Sequence, residues 1–443
     1  MLLTSGRITS STLQTLRGPN FASHSTRSAS RPSERRSNED LDTDLLEFSR
    51  SVNQSSSSKA TARIASVPML DLSRQYAQLR EPILAAVERV CSSQHFILGA
   101  EVDELERELA AFCGAADAVG CASGTDALWL ALLAVGVHPG DTVLTTAFSF
   151  FASASAIVRA GARPVFLDVD PHTLNLDPAQ VESYLRAGRP ARLGAMLPVH
   201  LYGQCADMDA LRRLAAGFQV PLVEDAAQAI GASWRDKRAG SMGAAAAFSF
   251  YPSKNLSAYG DAGLVTTNNP DFGAHMRRLR NHGSPRRYRH EEIGWNCRLD
   301  GIQAAVLRVK LPHVQKWNQQ RRERAATYDR LLTQSGLTSP TGDAAIRPLG
   351  VTPHAYHVYH QYVVRAQKRE GLRQFLADRK IGTEVYYPIP LHLQMAFAYL
   401  GYREGELPES ERAAREVLAL PMFPELSADE QQWVVESVAE FYS

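Results

Sequence analysis

The sequence predicts an α/β protein in which helices cover both faces of a mostly parallel sheet, followed by a smaller α+β region. Two observations support this prediction. From Phe96 onward, short apolar runs alternate with amphipathic stretches of helical period, which is the pattern of repeated strand–helix units. A long helical stretch from about Leu299 toward Leu332 contains Pro312, which lacks a backbone donor and therefore predicts a kink or a break.

The predicted elements divide the chain at Pro312. Residues 66–311 are expected to form a large domain and residues 312–443 a smaller one, and a helix over Tyr76–Val90 is a candidate to pack with the small domain. The strands expected in the large domain are Ala118–Cys121, Thr142–Thr145, Pro164–Asp168, Gly194–His200, Val220–Glu224, Ala245–Phe250 and Gly263–Thr267. The helices expected between them are Ala127–Val135, Ala152–Ala160, Pro178–Arg186 and Met208–Phe218. In the small domain we expect extended segments at Tyr362–Val364 and Thr383–Tyr387, and helices near Gly371–Asp378 and Ser427–Tyr442.

Residues 1–65 differ in composition from the rest of the chain. They are rich in Ser, Thr, Arg and Asn, and such a stretch cannot bury enough apolar surface to offset the entropy of ordering it. We therefore expect a disordered, non-essential extension. An Arg- and Ser-rich start also resembles an organelle transit peptide, although the acidic run Glu39–Asp42 fits that alternative less well.

Composition and charge narrow the class of protein. The chain has 443 residues, of which 44% are hydrophobic and 21% charged, and its formal net charge is +1. It carries no overall field that would attract nucleic acid or an anionic membrane, and no apolar run approaches the ~20 residues needed to cross a bilayer. The five cysteines are scattered without metal-ligand spacing, which indicates reduced thiols in a cytoplasmic protein and no metal site. No G-x-G-x-x-G follows the first strand, which argues against a nicotinamide-binding Rossmann enzyme.

One lysine, Lys254, lies where the chain leaves an apolar strand, within the stretch Ser249–Gly263. Pro252 ends that strand, and Gly260 and Gly263 permit tight turns and close backbone approach. Taken alone, Lys254 fits a solvated loop lysine, because buried lysines are rare. The alternative is a desolvated amine with a lowered pKa, which would act as a nucleophile toward carbonyls and as a base.

Two further stretches place polar groups at strand ends. Ala122–Leu128 opens an apolar helix, so its polar residues fit ordinary capping, while its free amides and Gly124 fit a phosphate site. Glu224 and Asp225 end another apolar strand, where they fit helix capping or, for Asp225, a partner that keeps a ring nitrogen protonated. A Schiff-base lysine and such an acid are what pyridoxal phosphate (PLP) requires, and Phe150 could stack on its ring.

Several short motifs follow one another in a fixed order. They are Phe96–Gly99, Ala122–Leu128, His200–Gln204, Glu224–Gln228, Ser249–Asn255, Leu279–Gly283, Asn296–Asp300 and Tyr387–His392. On these residues, the chain from about Pro68 to its C-terminus resembles the DegT/StrS-type sugar aminotransferases, which are PLP enzymes of fold type I. The resemblance implies a large domain with a mostly parallel mixed sheet and a smaller α+β domain.

The resemblance also implies roles for individual residues. Lys254 would bind PLP covalently and move the proton, and Asp225 would pair with the pyridine nitrogen. The other cofactor contacts that it implies are Gly124, Thr125 and Ser249 at the phosphate, Phe150 on the ring face, Gln228 at the ring hydroxyl, and Asn296 from the second subunit of a homodimer. The substrate contacts that it implies are His392, Tyr387 and Arg298. Ser149 and Ser153 stand where the family usually has threonine, and Ser257 stands where it usually has glycine.

The activity implied by the resemblance is transfer of an amino group from glutamate to a keto-sugar nucleotide, for a surface polysaccharide or a glycosylated metabolite. A sugar dehydratase of the same family has histidine in place of Lys254, which argues against that alternative. A regulator that has kept the fold without catalysis is disfavoured by the intact Lys254, Asp225 and Gln228. The basic loop Arg286–His290 either binds the nucleotide diphosphate or is a solvated charged loop. The sugar, the nucleotide and the choice between C3 and C4 amination are left open.

Overall fold

The computed structural model describes residues 64–188, 192–339 and 344–443. The expected extension over residues 1–65 lies outside the described residues, except for its last two positions. The strands of the described chain are β1 Asp117–Cys121, β2 Thr142–Thr146, β3 Arg163–Leu167, β4 Leu193–Leu197, β5 Val223–Asp225, β6 Ser233–Trp234, β7 Lys237–Arg238, β8 Ala245–Ser249, β9 Gly263–Thr267, β10 Ile346–Pro348, β11 Ala355–Tyr356, β12 Tyr362–Ala366 and β13 Val417–Leu420. The helices are α1 Leu72–Ser93, α2 Ala100–Cys113, α3 Gly124–Ala134, α4 Ala152–Arg159, α5 Pro178–Arg186, α6 Met208–Phe218, α7 Pro270–Leu279, α8 Gly301–Lys310, α9 Val314–Gln334, α10 Arg369–Asp378, α11 Pro408–Glu416 and α12 Ala428–Tyr442.

The central sheet is mixed but mostly parallel, as predicted. Four strands pair in the order β1–β9–β8–β5 and three in the order β3–β2–β4. Two parallel bridges, Met196–Leu222 and Val199–Asp225, join β4 to β5 and connect the two groups. Only β9 among these strands runs antiparallel to its neighbours β1 and β8.

Both faces of this sheet are buried, and β8 illustrates why. Successive side chains of a strand point to opposite faces. Ala245 and Ala247 belong to the core formed with α3, whereas Ala246 and Phe248 belong to the core that includes residues of α2, α6 and α8. The small alanines let α3 approach closely, and α3 itself is apolar around its whole circumference, as expected of a helix with little exposed surface.

The long predicted helix is broken where the sequence indicates. A three-residue 3₁₀ turn, Leu311–His313, separates α8 from α9, because Pro312 cannot donate to the preceding turn. Residues after this break build an antiparallel sheet, β10–β12–β13, against which α9, α10 and α12 enclose a second apolar core. The domain boundary that we place at this break stays a prediction.

Two segments differ from the expectation for the C-terminal region. Thr383–Tyr387 is not a strand; it makes one isolated bridge, Glu384 to Ala419. The strand that pairs with β12 is instead β13, a four-residue apolar run that directly follows α11 and was not predicted. A run this short carries too little periodicity to be distinguished from a helix end. In the part of the chain that the structure describes, no helix is long and apolar enough to cross a membrane.

Candidate active site

The parallel strands bring the predicted site residues to one edge of the sheet. The carboxyl ends of β1, β5 and β8 meet there, together with the start of the antiparallel β9. Gly124 follows β1, Asp225 ends β5, and Ser249 ends β8 five residues before Lys254. Ligands of open α/β sheets bind at this edge.

Asp225 and its neighbour Glu224 face opposite sides of β5. Glu224 is completely buried and accepts hydrogen bonds from the His200 imidazole at 3.0 Å and from the amides of Met242 at 2.8 Å and Gly243 at 2.7 Å. Burial alone would raise the pKa of Glu224, but these hydrogen bonds hold it below its ordinary value. Glu224 is therefore a structural acid, whereas Asp225, the residue that the resemblance assigns to the ring nitrogen, lies on the other side of the strand.

Asp225 is buried and is held by two donors. The Ser153 hydroxyl donates to Oδ2 at 2.7 Å, and the Ala227 amide donates to Oδ1 at 3.2 Å. Since Ser153 gives its proton to Asp225, the 2.9 Å contact between Ser149 and Ser153 has Ser149 as the donor. Burial raises the pKa of Asp225, and the Ser153 hydrogen bond opposes that rise. In the sequence, Ser149 and Ser153 stood out only because the family usually has threonine at both positions. Their hydrogen-bond chain to Asp225 was not predicted.

Lys254 is half-buried, and its environment fits the desolvated alternative rather than the solvated loop lysine. Burial lowers the pKa of its amine from 10.5 to about 8, although the charge of Asp225 opposes that change. An amine with this pKa is largely unprotonated at mildly alkaline pH, so it is available as a nucleophile and as a base.

The residue after Lys254 fixes the loop. Asn255 Nδ2 donates to Asn318 Oδ1 at 2.8 Å and to the Val358 carbonyl at 3.1 Å. Its Oδ1 lies 3.2 Å from Nδ1 of the buried His360, whose pKa is lowered by burial and by the charge of Lys254. Asn255 and His360 are further positioning contacts that lie too far apart in sequence to be predicted.

The start of α3 forms a narrow backbone cradle. A Cβ atom at Gly124 would lie 2.5 Å from the Cβ atom of Ser249, and one at Gly263 would lie 2.2 Å from the Ser123 carbonyl oxygen. Ser123 caps the helix by accepting from the Asp126 amide at 3.1 Å, which leaves the amides of Gly124 and Thr125 ahead of the first intrahelical bond. These amides and the Ser249 hydroxyl are therefore donors for an anion, because the helix dipole favours negative charge at this end.

The other residues predicted to contact the ring lie around a tyrosine. Gln228 accepts from the Tyr202 amide at 2.7 Å and donates through Nε2 to the Tyr387 hydroxyl at 3.2 Å. The Phe150 ring is 59% exposed, and its centroid lies 6.2 Å from that of Tyr387. Burial raises the pKa of Tyr387, as does the charge of Asp225, so this hydroxyl stays protonated and can donate to a ligand.

Asn296 and Arg298 lie on a segment that runs beside the end of β1. Arg298 makes a backbone bridge with Cys121, and its guanidinium donates to Asn281 Oδ1 at 3.3 Å. Asn296 bridges to Asn281 through the backbone, and its side chain is exposed. Arg298 is thus near the cradle. Among the described residues, no hydrogen-bond partner is recorded for the side chain of Asn296.

His392 occupies a different environment from the residues above. The residue is 2% exposed, its Nε2 lies 3.1 Å from Glu411 Oε1, and the centroid of its ring lies 5.9 Å from that of Tyr402. Nδ1 has no hydrogen-bond partner among the described residues. Among the described residues, the recorded hydrogen bonds of the His392 side chain do not include Lys254 or Asp225, and its role toward substrate stays a prediction. Within the described ranges, no group of three or more His, Cys, Asp or Glu side chains could hold a metal ion.

Comparison with known proteins identifies the group to which this arrangement belongs. The pattern of the DegT/DnrJ/EryC1/StrS aminotransferase family matches residues 77–439. The chain is 52% identical over 376 residues to a pleiotropic regulatory protein of Geobacillus stearothermophilus, and the match covers 85% of this chain and 98% of the relative. It is 44% identical over 378 residues to a dTDP-3-amino-3,4,6-trideoxy-alpha-D-glucose transaminase of Streptomyces venezuelae, covering 85% and 96% of the two chains.

Solved structures share the fold. The crystal structure of DesV from S. venezuelae superposes with a TM-score of 0.80 at 44% identity, covering 85% of this chain and 98% of DesV. NtdA from Bacillus subtilis, crystallised with the cofactor PMP, superposes with a TM-score of 0.78 at 28% identity, covering 86% of each chain. These superpositions confirm the predicted α/β aminotransferase fold.

Proposed function

This chain belongs to the DegT/DnrJ/EryC1/StrS aminotransferase family, and from that premise we propose that it is a PLP-dependent enzyme that moves an amino group from glutamate to a keto-sugar nucleotide. The observation that carries the proposal is the half-buried Lys254, whose amine pKa is lowered to about 8, at the same sheet edge as the buried carboxylate of Asp225. This chemistry needs a lysine whose pKa is close to neutral pH and an acid that is shielded from water.

The residues present fit PLP. The cradle at Gly124, which a Cβ atom would fill, and the amides of Gly124 and Thr125 suit a phosphate group, with Ser249 as a further donor. Asp225 has no arginine or histidine ion-pair partner among the described residues, so its charge is available to a protonated ring nitrogen. Phe150, exposed beside Tyr387, offers a face for ring stacking.

When bound, PLP would supply an electron sink for the negative charge left when the donor amino acid loses its α-proton. Lys254 would hold the cofactor, and its Nζ would take that proton and return it. Asp225 keeps the ring nitrogen protonated, with Ser153 and the Ala227 amide fixing the carboxylate. Gln228, already bonded to Tyr202, orients the ring through its hydroxyl. Because the donor would leave as its keto acid before the sugar binds at the same residues, we expect ping-pong kinetics.

For the acceptor, we propose a nucleotide sugar that carries a keto group. The transaminase of S. venezuelae named above acts on a dTDP-linked sugar, which supports this substrate class. Tyr387 and Arg298 lie beside the ring contacts and the cradle, respectively, and are the substrate contacts that the geometry favours; His392 would need to leave its contact with Glu411. The loop Arg286–His290 is exposed, with the Arg287 guanidinium 4.9 Å from the centre of the Tyr288 ring, and suits either a diphosphate or solvent.

We also propose a homodimer with shared sites. Asn296 is exposed and is flanked by the exposed apolar residues Ile293 and Trp295, which are 79% and 43% accessible. Exposed apolar side chains around a polar residue are typical of an interface. Across a two-fold axis, this loop would deliver Asn296 to the phosphate of the partner subunit, and the partner's loop would do the same in return.

Trapping of the cofactor on a single lysine tests the proposed function. The purified protein incubated with PLP and reduced with borohydride should carry the cofactor on Lys254, as found by peptide mass spectrometry. Lys254→Ala should lose amino transfer from glutamate to a panel of keto-sugar nucleotides, while Lys316→Ala, an exposed lysine of α9, should keep it. An adduct on another lysine would refute the assignment. Replacing glutamate by aspartate or alanine in the same assay identifies the donor.

A second candidate function has one observation in its favour. The relative from G. stearothermophilus, at 52% identity, is named a regulatory protein. A regulator needs no reactive lysine, so a protein that never shows a visible absorption band from bound PLP and transfers no amine would favour this alternative.

A sugar dehydratase would release water from the sugar without consuming glutamate, and the same assay separates it from an aminotransferase.

A further inference from the structure

A second buried lysine lies next to the segment that bears Lys254. Lys310, the last residue of α8, is 2% exposed. Its ammonium donates to the Ser257 carbonyl oxygen at 2.9 Å and to the Ser257 hydroxyl at 3.0 Å, and it lies 4.4 Å from the centre of the Tyr259 ring. Its side chain thus contacts the chain three and five residues after Lys254.

The burial of Lys310 requires an explanation. Burying an ammonium is costly unless it is paired, and no carboxylate contacts it within residues 64–188, 192–339 and 344–443. Burial accordingly lowers the pKa of Lys310 to about 8. An apolar side chain would fill the same space at less cost, so the contacts with Ser257 and Tyr259 are what the lysine contributes.

A second contact holds the same segment from the other side of the helix break. Asn318, on α9, accepts from Asn255 Nδ2 at 2.8 Å and donates to the Ile230 carbonyl at 2.9 Å. Lys310 precedes the Leu311–His313 turn and Asn318 follows it. The residue directly after Lys254 and the residue three positions after it are therefore anchored on opposite sides of one break.

We propose that Lys310 is a positioning residue, whose terminal amino group donates to Ser257 and so keeps the segment 254–259 in the conformation in which the Lys254 amine is half-buried. The inference rests on the proposed function only in taking Lys254 as the reactive amine. The Ser257 hydroxyl, which stands where the family usually has glycine, gives Lys310 a second acceptor beside the backbone carbonyl. Removing this amino group should release the segment and return the Lys254 amine to water.

The test measures the protonation of Lys254 directly. The full-length chain, freed of PLP, is labelled with acetic anhydride from pH 6 to pH 11, and acetylation of Lys254 is followed by peptide mass spectrometry. We expect a midpoint near 8 for the unmodified protein and for Lys316→Met, an exposed control on α9. For Lys310→Met, we expect the midpoint to rise by at least about one pH unit, because a hydrated amine holds its proton more tightly. An identical midpoint in Lys310→Met and Lys316→Met overturns the inference.

Two more variants keep the test decisive. Lys310→Arg keeps a cationic donor near Ser257, so its midpoint should stay closer to that of the unmodified protein than to that of Lys310→Met. Should Lys310→Met fail to fold by circular dichroism, Ser257→Ala decides, because it removes the hydroxyl acceptor alone. We expect a smaller upward shift in that variant, and an unchanged midpoint overturns the inference.

The same data separate the two proposals. A midpoint near the ordinary 10.5 in the unmodified protein would contradict the lowered pKa of Lys254 on which the proposed function depends. A midpoint near 8 that none of the Lys310 and Ser257 variants changes would overturn the positioning role and leave the proposed function standing.

Discussion

The hydroxyl of Ser153 donates a 2.7 Å hydrogen bond to Oδ2 of Asp225, and this contact connects the first turn of α4 to the end of β5. It opposes the rise in the Asp225 pKa that burial causes, so it helps to keep the carboxylate charged. A hydrogen bond to a charged, buried group contributes about 1.5–3 kcal/mol. The charge that the proposed mechanism needs therefore depends on a residue far from Asp225 in sequence.

Replacing Ser153 should weaken catalysis without removing it. We expect Ser153→Ala to lower kcat/KM about tenfold, in line with the loss of one such hydrogen bond. The Asp225 pKa should rise further, so the acidic limb of the pH–rate profile should move to higher pH. Ser155→Ala, on the same helix but without contact to Asp225, is the matched control. A Ser153→Ala enzyme with the native profile would show that this hydrogen bond does not influence the carboxylate.

Removing the charge of Asp225 itself should have a larger effect. Asp225→Asn keeps the shape of the side chain but gives the ring nitrogen no anionic partner. If that partner contributes ~3 kcal/mol to the transition state, single-turnover rates should fall about 100-fold or more. Asp236→Asn, at an exposed turn, should leave the rate unchanged. Near-native turnover in Asp225→Asn would exclude Asp225 as the partner of the ring.

The cradle at the start of α3 should not tolerate a side chain. Because a Cβ atom at Gly124 would lie 2.5 Å from that of Ser249, Gly124→Ala must displace one wall of the proposed phosphate site. We expect the dissociation constant for PLP, measured by equilibrium dialysis, to rise about tenfold or more. Gly217→Ala is the control, since a Cβ atom there meets nothing within 4 Å. Equal affinities in the two variants would remove the cradle from the phosphate site.

Burial of Lys254 should make the PLP-free protein less stable than it would otherwise be. The folded-state pKa of about 8 lies below the ordinary 10.5, so between these values the unfolded chain binds more protons and stability rises with pH. At pH 7, Lys254→Met should therefore be more stable than the unmodified protein by up to ~3 kcal/mol, and the difference should shrink by pH 10. Urea unfolding at both pH values measures this. Lys316→Met should show no such pH-dependent difference, and a gap that persists unchanged at pH 10 would contradict the lowered pKa.

Mixing two inactive chains tests whether sites are shared. Lys254→Ala and Asn296→Ala are expected to be inactive or nearly so when alone. If Asn296 acts in the partner's site, one site of each mixed dimer has both native residues, and about a quarter of the activity should return at equal mixing. A mixture that stays as inactive as its parents, after subunit exchange has been verified by native mass spectrometry, would show that Asn296 acts within its own chain.

Much of the site could be predicted because a parallel sheet collects strand ends at one edge. Gly124, Asp225 and Ser249 each follow an apolar run in the sequence, and their common location needs no knowledge of side-chain packing. The resemblance assigned the ring contact to Asp225, but the enclosure of Glu224 could not be predicted, since it depends on which face of β5 meets the His200 side of the core. The contact between Ser257 and Lys310 spans 53 positions, and no local pattern specifies it.

The surroundings of His392 also depend on residues distant in sequence. The substrate contact that the resemblance implies for it stays a prediction, and the structure adds that its imidazole lies beside Glu411, which α11 supplies. The nearby strand β13 was missed for a related reason, because four apolar residues after a helix carry no distinctive period. Both the contact of His392 and the pairing of β13 involve partners distant in sequence.

The alternation of Glu224 and Asp225 along one strand has a consequence for how the gene tolerates change. Two neighbouring codons specify acids of similar size, yet one is enclosed by hydrogen bonds with His200 and backbone amides and the other lies at the ligand edge. A mutational scan could measure both the cellular abundance of the protein and growth that requires the product of the enzyme. Changes at position 224 should reduce abundance. Changes at position 225 should leave abundance near normal but abolish product-dependent growth, so these two adjacent positions would separate loss of folding from loss of activity.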